Sequence, residues 1–445
     1  MTMQSVQCFH VWLAKRWRAQ RCIETIALRF LLFLLCLVGG GTNLQAQFAQ
    51  NSLPQGQYYT GLQAFDAGKF QTAEKLFLKA SSGYKLGTAQ GSQLWVDAVC
   101  SFTMAGECHY QVGNFDRAIE LYRDALDVYL ANAGWLQRVT FPATLQRDES
   151  AVAQARINWG TTRRTGAIAR VKNMQVLFGD PNAQNAIQNG GVFRPTEHRL
   201  ADVSEILKCA GLAMVRRREL MGPLTRHAPY SRTLGAAAEA SLMNQHPYAK
   251  AWTELVNGVA LAANQEFSKA ELNLQSAAQA KGLDHPLTPI ALFELANVHA
   301  QQGKLKTAQT LYLEATFSAA IFRQWVILSQ SFRRGFLVHL LNGNQGEYEP
   351  LSLILQGDLF SRLPDAVRCN LLLLGAEANI EVNNGAQSLA FLDKAKRFID
   401  RDTRNSELAA RYFFHLAQAN ALAGNVGDCY TNAANAIKIY ASSSR

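Results

Sequence analysis

Two stretches decide the architecture: GLQAFDAGKFQTAEKLFLKA, Gly61 to Ala80, and GECHYQVGNFDRAIELYRDA, Gly106 to Ala125. Their small residues fall at the same steps, Gly68, Ala73, Ala80 in one and Gly113, Ala118, Ala125 in the other. The steps return as Gly303, Ala308, Ala315 and as Gly424, Cys429, Ala436. An aromatic or leucine stands near the last small residue each time. Small residues at fixed spacing mark places where a second helix passes close by, and a larger side chain there costs about 1–3 kcal/mol in overpacking. A helical unit with one apolar face cannot bury that face alone and must stack on copies of itself. Gly68 and Gly113 stand where a helix has to stop, because glycine adopts the left-handed conformation at little cost. Phe70 and Phe115 follow, placed to plug the turn.

With Gly61 and Gly106 at the helix crossing, these units resemble tetratricopeptide repeats, helix-turn-helix modules of 34 residues. Five further units follow the same plan. Gly258, Phe267, Ala270 and Ala277 form one in which Gln265 replaces the turn glycine. Ala296, Gly303, Leu305, Ala308, Tyr312 and Ala315 form the next. Residues 321–358 form a degenerate unit around Gly335, and Gly375, Leu392 and Ala395 mark a shifted one. Ala417, Gly424, Val426, Cys429 and Ala436 complete the series. The step from Ala73 to Ala118 is longer than the family norm, so the superhelix is expected to be irregular. The expected class is all-α, an irregular α-solenoid with a helical non-repeat segment in its middle.

The chain of 445 residues divides on this reading into five parts. Residues 1–46 read as a signal peptide, 47–132 as N-terminal repeats, 133–245 as a basic helical insertion, 246–345 as central repeats and 346–445 as C-terminal repeats. The leader carries Lys15, Arg16, Arg18, Arg21 and Arg29 ahead of an apolar run from Phe30 to Val38. That run is too short to span a bilayer, which takes about 20 residues, and it fits the apolar core of a secretory signal, with cleavage after Ala46. The expected location is therefore outside the cytoplasm, periplasmic or extracellular, or membrane-anchored if the leader is retained. Removing the leader leaves Cys100, Cys108, Cys209, Cys369 and Cys429, an odd and scattered set that reads as core residues rather than a disulfide framework.

Within the insertion, Ala151 to Leu177 shows apolar residues at helical spacing, and a polar loop runs from Phe178 to Arg194-Pro195. Thr196 is placed to cap a long helix with the stripe Leu200, Val203, Ile206, Leu207, Ala210 and Met214, ending at Gly222-Pro223. Between Arg138 and Arg232 there are 15 Lys or Arg against 7 Asp or Glu. Arg163, Arg164, Arg216, Arg217 and Arg218 are thus candidates for an anion-binding face that takes an acidic protein, anionic lipid or acidic glycan. The competing reading places the three consecutive arginines in a helix's last turn, complementing its dipole.

Sequence motifs for catalysis are missing: there is no GxSxG, no GxxxxGK, no GxGxxG and no HExxH. No two histidines sit four apart. Asp148 and Glu149 are adjacent and point to different helix faces. Neither catalytic residues nor cofactor or metal ligands are expected, and nucleic acid is not an expected partner. The family resemblance implies protein or peptide binding in a groove lined by first helices. Carried over unit by unit, the groove positions are Glu107, Tyr110 and Gln111, then Glu294, Asn297 and Gln301, then Arg411 and Gln418, with His415 beside them. The Lys/Asn clamp of chaperone-binding members is not reproduced; Gln55, Tyr58 and Leu62, then Cys100, Thr103 and Glu107, stand there. Three readings stay open: an exported non-catalytic scaffold binding an envelope protein, a membrane-associated assembly or secretion factor with a basic face, and an enzyme with an unrecognised site in 133–245.

Overall fold

The structure is a computed structural model that describes residues 52–445 apart from 55, 83–84, 89–90, 143, 145, 163, 165, 169–170, 179–196, 229, 241–245, 280–281, 345–346, 400–405 and 444–445. The leader, Gln55, Arg163, Thr196 and the polar loop after Phe178 lie outside the described residues, and so does their reading. Leu53 to Arg445 form one compact unit.

Seven helix pairs follow one another in that unit. They are α1 (Gly56–Asp66) with α2 (Phe70–Ser82) and α3 (Ala98–Gln111) with α4 (Phe115–Ala131). The middle segment contributes α5 (Glu149–Ala155), α6 (Val203–Met221) and α7 (Tyr230–Ala240). The pairs resume with α8 (Pro247–Ala263) and α9 (Phe267–Ala277), then α10 (Thr288–Gln301) and α11 (Leu305–Ile321). Three more follow: α12 (Trp325–Leu341) with α13 (Glu349–Gln356), α14 (Asp365–Glu381) with α15 (Gly385–Lys396), and α16 (Glu407–Leu422) with α17 (Val426–Ser443). Seventeen helices among the described residues make this an all-α solenoid of TPR-like pairs, with only short strands.

The turn inside every pair contains one residue with positive φ. Five are glycines, Gly68, Gly113, Gly303, Gly343 and Gly424, at 74° to 82°, while Gln265 stands at 65° and Asn383 at 57°. The left-handed residue closes the first helix and aims the chain back along it. Close approach at the crossing is equally literal. A Cβ on Gly61 would lie 2.7 Å from the Phe77 ring, one on Gly106 2.7 Å from Tyr122, and one on Gly258 2.6 Å from Leu274. Ala73, Ala118, Ala125, Ala270, Ala308 and Ala315 are all fully buried. Phe70 is buried as a turn plug, whereas Phe115 is 44 % exposed and lies edge-on to Tyr110. Cys100, Cys108, Cys209 and Cys369 are buried free thiols, and Cys429 is half-buried.

The middle segment departs from the helical expectation. The Ala151–Leu177 pattern yields one short helix, α5, and then extended chain. Its apolar residues are individual anchors on the neighbouring repeats rather than one helical stripe. Trp159 is fully buried, with its indole N–H on Thr316 Oγ1 at 2.8 Å, and Ile168 N donates to the Asp284 carbonyl at 2.8 Å. The strands Met174–Phe178 and Glu197–Ala201 pair antiparallel, placing Leu200 opposite Gln175 on a strand and not on the long helix. That helix, α6, starts at Val203, where the Asp202 carboxylate accepts from Glu205 N at 3.0 Å. It wedges between α3, α4, α8 and α10, so the array continues through it.

Candidate functional site

The first helices of the pairs turn their polar residues inward, and the sequence supplies opposite charges to meet them there. Glu107 on α3 is fully buried. Its carboxylate accepts from Arg216 Nε at 2.7 Å and Nη2 at 3.2 Å, and from the Tyr122 hydroxyl at 2.7 Å. A bidentate guanidinium–carboxylate pair is the strongest form this interaction takes. Arg216 also lies 4.0 Å from the Tyr110 ring centroid and donates to Glu219 at 2.8 Å. Arg334 on α12 reaches the other Glu219 oxygen at 2.5 Å, closing the chain Glu107–Arg216–Glu219–Arg334. Burial alone would raise the Glu219 pKa, but the two guanidiniums outweigh it and the net shift is downward. Arg216 is likewise held charged: burial disfavours the ion, and Glu107 with its neighbours more than offsets this.

A parallel link joins α6 to α10, where Arg218 donates to Glu294 Oε2 at 2.5 Å and Glu294 is buried. Asn297 Oδ1 accepts from the Tyr312 hydroxyl at 2.6 Å. Arg411 on α16 is buried, donates to Asn370 Oδ1 at 2.8 Å, and stands 3.9 Å from Glu377 and Glu407. Gln418 Oε1 is 3.1 Å from the buried His415, whose pKa burial pushes down to about 4. The groove positions therefore divide. Glu107, Gln111, Glu294 and Arg411 are buried, Tyr110, Asn297 and Gln418 are half-buried, and only Gln301 is exposed.

The basic cluster is resolved in the same way. Arg216 belongs to the buried network and Arg218 to Glu294, so neither forms an anion-binding face. The last-turn reading also falls short for Arg216, whose charge meets carboxylates and not solvent. Arg217 is half-buried over the Tyr230 ring at 4.7 Å. Arg164 bridges Asp284 at 2.5 Å and Glu314 at 2.8 Å, which straps the middle segment to α11. Arg164, Arg216 and Arg218 are offset by acidic residues from repeats distant in sequence, an arrangement that no local charge count can display.

Where the network ends, a cavity of about 280 Å³ opens. Tyr110 and Phe115 from the second pair, Arg333, Arg334 and Leu337 from the fifth, and Glu407 from the seventh bound it. The array has curled until these helices face one another, and α1 packs on α14. Arg333 and Leu337 lie on one face of α12 and were not singled out by the repeat pattern, because their unit is the degenerate one. Its signal was Gly335, whose Cβ position is filled by the Tyr348 hydroxyl at 2.6 Å.

Among the described residues no group of His, Cys, Asp or Glu is arranged to hold a metal ion, and no helix is long and apolar enough to cross a membrane. Asp148 serves as the cap of α5, accepting from Ser150 N at 3.1 Å and Ala151 N at 3.0 Å. His109 sits 2.8 Å from Glu74, and His299 3.7 Å from Glu271.

No protein-family model matches the chain, and no curated protein matches it. Solved structures are similar to it, two of them as follows. One is the Rap protein complexed with competence and sporulation factor, 15% identical with a TM-score of 0.35, over 80% of this chain and 75% of that one. The other is the APC/C hetero-tetramer Cut9-Hcn1, 13% identical with a TM-score of 0.29, over 86% of this chain and 74% of that one.

Proposed function

We propose that this protein is a non-catalytic scaffold that holds a segment of another protein in the cavity between its first helices. The observation that carries the reading is the cavity bounded by Tyr110, Arg333, Arg334 and Leu337. It joins Tyr110, the guanidiniums of Arg333 and Arg334 with their carboxylate partners Glu407 and Glu219, and an aliphatic side chain, on helices that the buried ion network ties together. Such a mixture suits an extended peptide, whose backbone carbonyls take the guanidiniums and whose side chains take the apolar wall. Walls tied together matter because ordering a loose site would consume binding energy. Tyr110 remains a groove residue on this account, with Asn297, Gln301 and Gln418 along the same face.

The leader pattern in residues 1–46 supports a place of action outside the cytoplasm, and hence a partner in the cell envelope. Affinity capture from the native host tests the proposal, comparing the full chain with Arg333→Glu, Leu337→Asp and the outward-facing control Leu272→Asp. One protein retained by the wild type and the control but lost from both cavity variants is expected. Equal retention by all four chains would remove the cavity from the function.

A further inference from the structure

A second and larger cavity, about 1020 Å³, lies away from the inner one, where four connections converge. Asp66 at the end of α1, the α5 segment, the α11–α12 turn and the link before α14 form its walls. Four exposed cations, each from a different piece of chain, stand around it: Arg156, Lys172, Arg323 and Arg362. Arg156 reaches Asp358 at 3.2 Å across solvent, a contact of the exposed kind that contributes little.

Apolar side chains with accessible surface, Ala151, Ala153 and Pro364, stand between these cations. Ile168, Ile321 and Leu359 are buried there, with the half-buried Trp325 beside them. Two of the cations sit on left-handed backbone, Arg156 at φ 45° and Arg323 at φ 54°. Glycine takes that conformation at most turns of this array, and a side chain there costs about 1 kcal/mol or more. Both stand just past a helix, Arg156 after α5 and Arg323 after α11, where a left-handed residue closes the helix as Gln265 and Asn383 do elsewhere. Two carboxylates, Asp66 and Asp148, also line the cavity, so the four cations outnumber its acidic groups by two. Asp148 is engaged as the α5 cap, and burial pushes Asp66 up to about 6, with Lys208 pulling it partly back.

We propose that this cavity binds a short acidic peptide segment that carries apolar side chains. A single phosphate or carboxylate would leave the apolar part of the wall uncovered and some of the surrounding cations unmet. The volume stands at the upper end of small-ligand sites, about 300–1,000 Å³, which suits several residues of extended chain. Acidic side chains would pair with the surrounding cations while Leu or Phe side chains covered Trp325, Ala153 and Pro364. This site is independent of the inner cavity, so either can fail without the other.

The test is fluorescence anisotropy on the full chain with a labelled eight-residue peptide of alternating Asp or Glu and Leu or Phe. A Lys-for-acid counterpart and an all-acidic peptide without apolar residues serve as comparisons. Saturable binding of the first, at least tenfold tighter than either comparison and weakened by salt, is expected. Arg323→Glu, Arg362→Glu and the cavity-filling Ala153→Trp should each weaken it about tenfold, while Leu337→Asp leaves it unchanged. Ala153→Trp alters no charge, so its effect separates a shaped site from general attraction. Equal binding of the Lys peptide, full displacement by inorganic pyrophosphate or by phosphatidylglycerol vesicles, or indifference to all three cavity variants would overturn the proposal.

Discussion

The Glu107–Arg216 pair is the most consequential contact in the fold, and Glu107→Gln tests it. The substitution keeps the shape and hydrogen-bonding atoms but leaves Arg216, itself 1 % exposed, with an uncompensated buried charge on one side. Removing one partner of a buried ion pair costs about 3–5 kcal/mol. Glu219 remains at 2.8 Å and should moderate this, so about 3 kcal/mol is expected. With unfolding entropy near 2.1 cal/mol/K per residue, the roughly 390 residues from Leu53 onward make each kcal/mol worth about 1.2 °C. The thermal midpoint should thus fall by about 3–4 °C, and the urea midpoint should fall with the slope unchanged. A double replacement, Glu107→Leu with Arg216→Met, should recover most of the loss, because an apolar pair avoids the desolvation that both ions suffer. A loss below 1 kcal/mol for Glu107→Gln would refute the claim that this contact fastens α3 to α6. So would a double variant as unstable as the single one with a second charge removed.

Three further outcomes follow from particular residues. Gln265→Gly should stabilise the chain by about 1 kcal/mol in urea titration, since Gln265 holds a positive φ that glycine adopts without strain. Ala118→Leu should cost about 1–3 kcal/mol because Ala118 is fully buried at a helix crossing, whereas Arg217→Glu, half-buried beside Tyr230, should cost less than Ala118→Leu in the same assay. His285 is fully buried, and burial lowers its pKa from 6.5 to about 3. Its neutral form is the folded one, so its contribution is fully present above pH 6.5 and is lost as pH falls toward 3. At pH 4.5 the loss is about 2–3 kcal/mol, and His285→Gln should flatten the stability curve by one proton between pH 6.5 and 4.5. Asp97, raised to about 7 by burial, acts with the opposite sign, so the variant is compared with wild type at each pH.

The helix pairs were legible because their requirements are local. A left-handed turn residue, a crossing glycine and an alanine beneath a neighbouring helix each leave a mark at fixed spacing, as Gly68, Gly61 and Ala73 do. The inner site was only partly legible. Tyr110 and Glu107 were placed on the groove by their repeat positions, but Glu107 meets a guanidinium 109 residues away. A pattern of small residues contains nothing about that pairing. Arg333 and Leu337 escaped notice because the fifth unit keeps its crossing glycine while losing its other small positions. The middle segment misled for a related reason. Ile168 and Val171 stand three apart as on one helix face, yet Ile168 pairs with Asp284 and Val171 with Ser204, and tertiary packing overrides the periodicity.

The central claim is that a partner segment occupies the inner cavity, and site-specific photocrosslinking addresses it most directly. A photoreactive residue would be introduced at Leu337, inside that cavity, and in a second chain at Leu272, which faces outward on α9 and is 68 % exposed. Crosslinking in the native host, followed by mass spectrometry, should yield one protein adduct at Leu337, mapped to a single short stretch of the partner, and no such adduct at Leu272. The same adducts at both positions, or none at Leu337 while capture of a partner persists, would contradict the account.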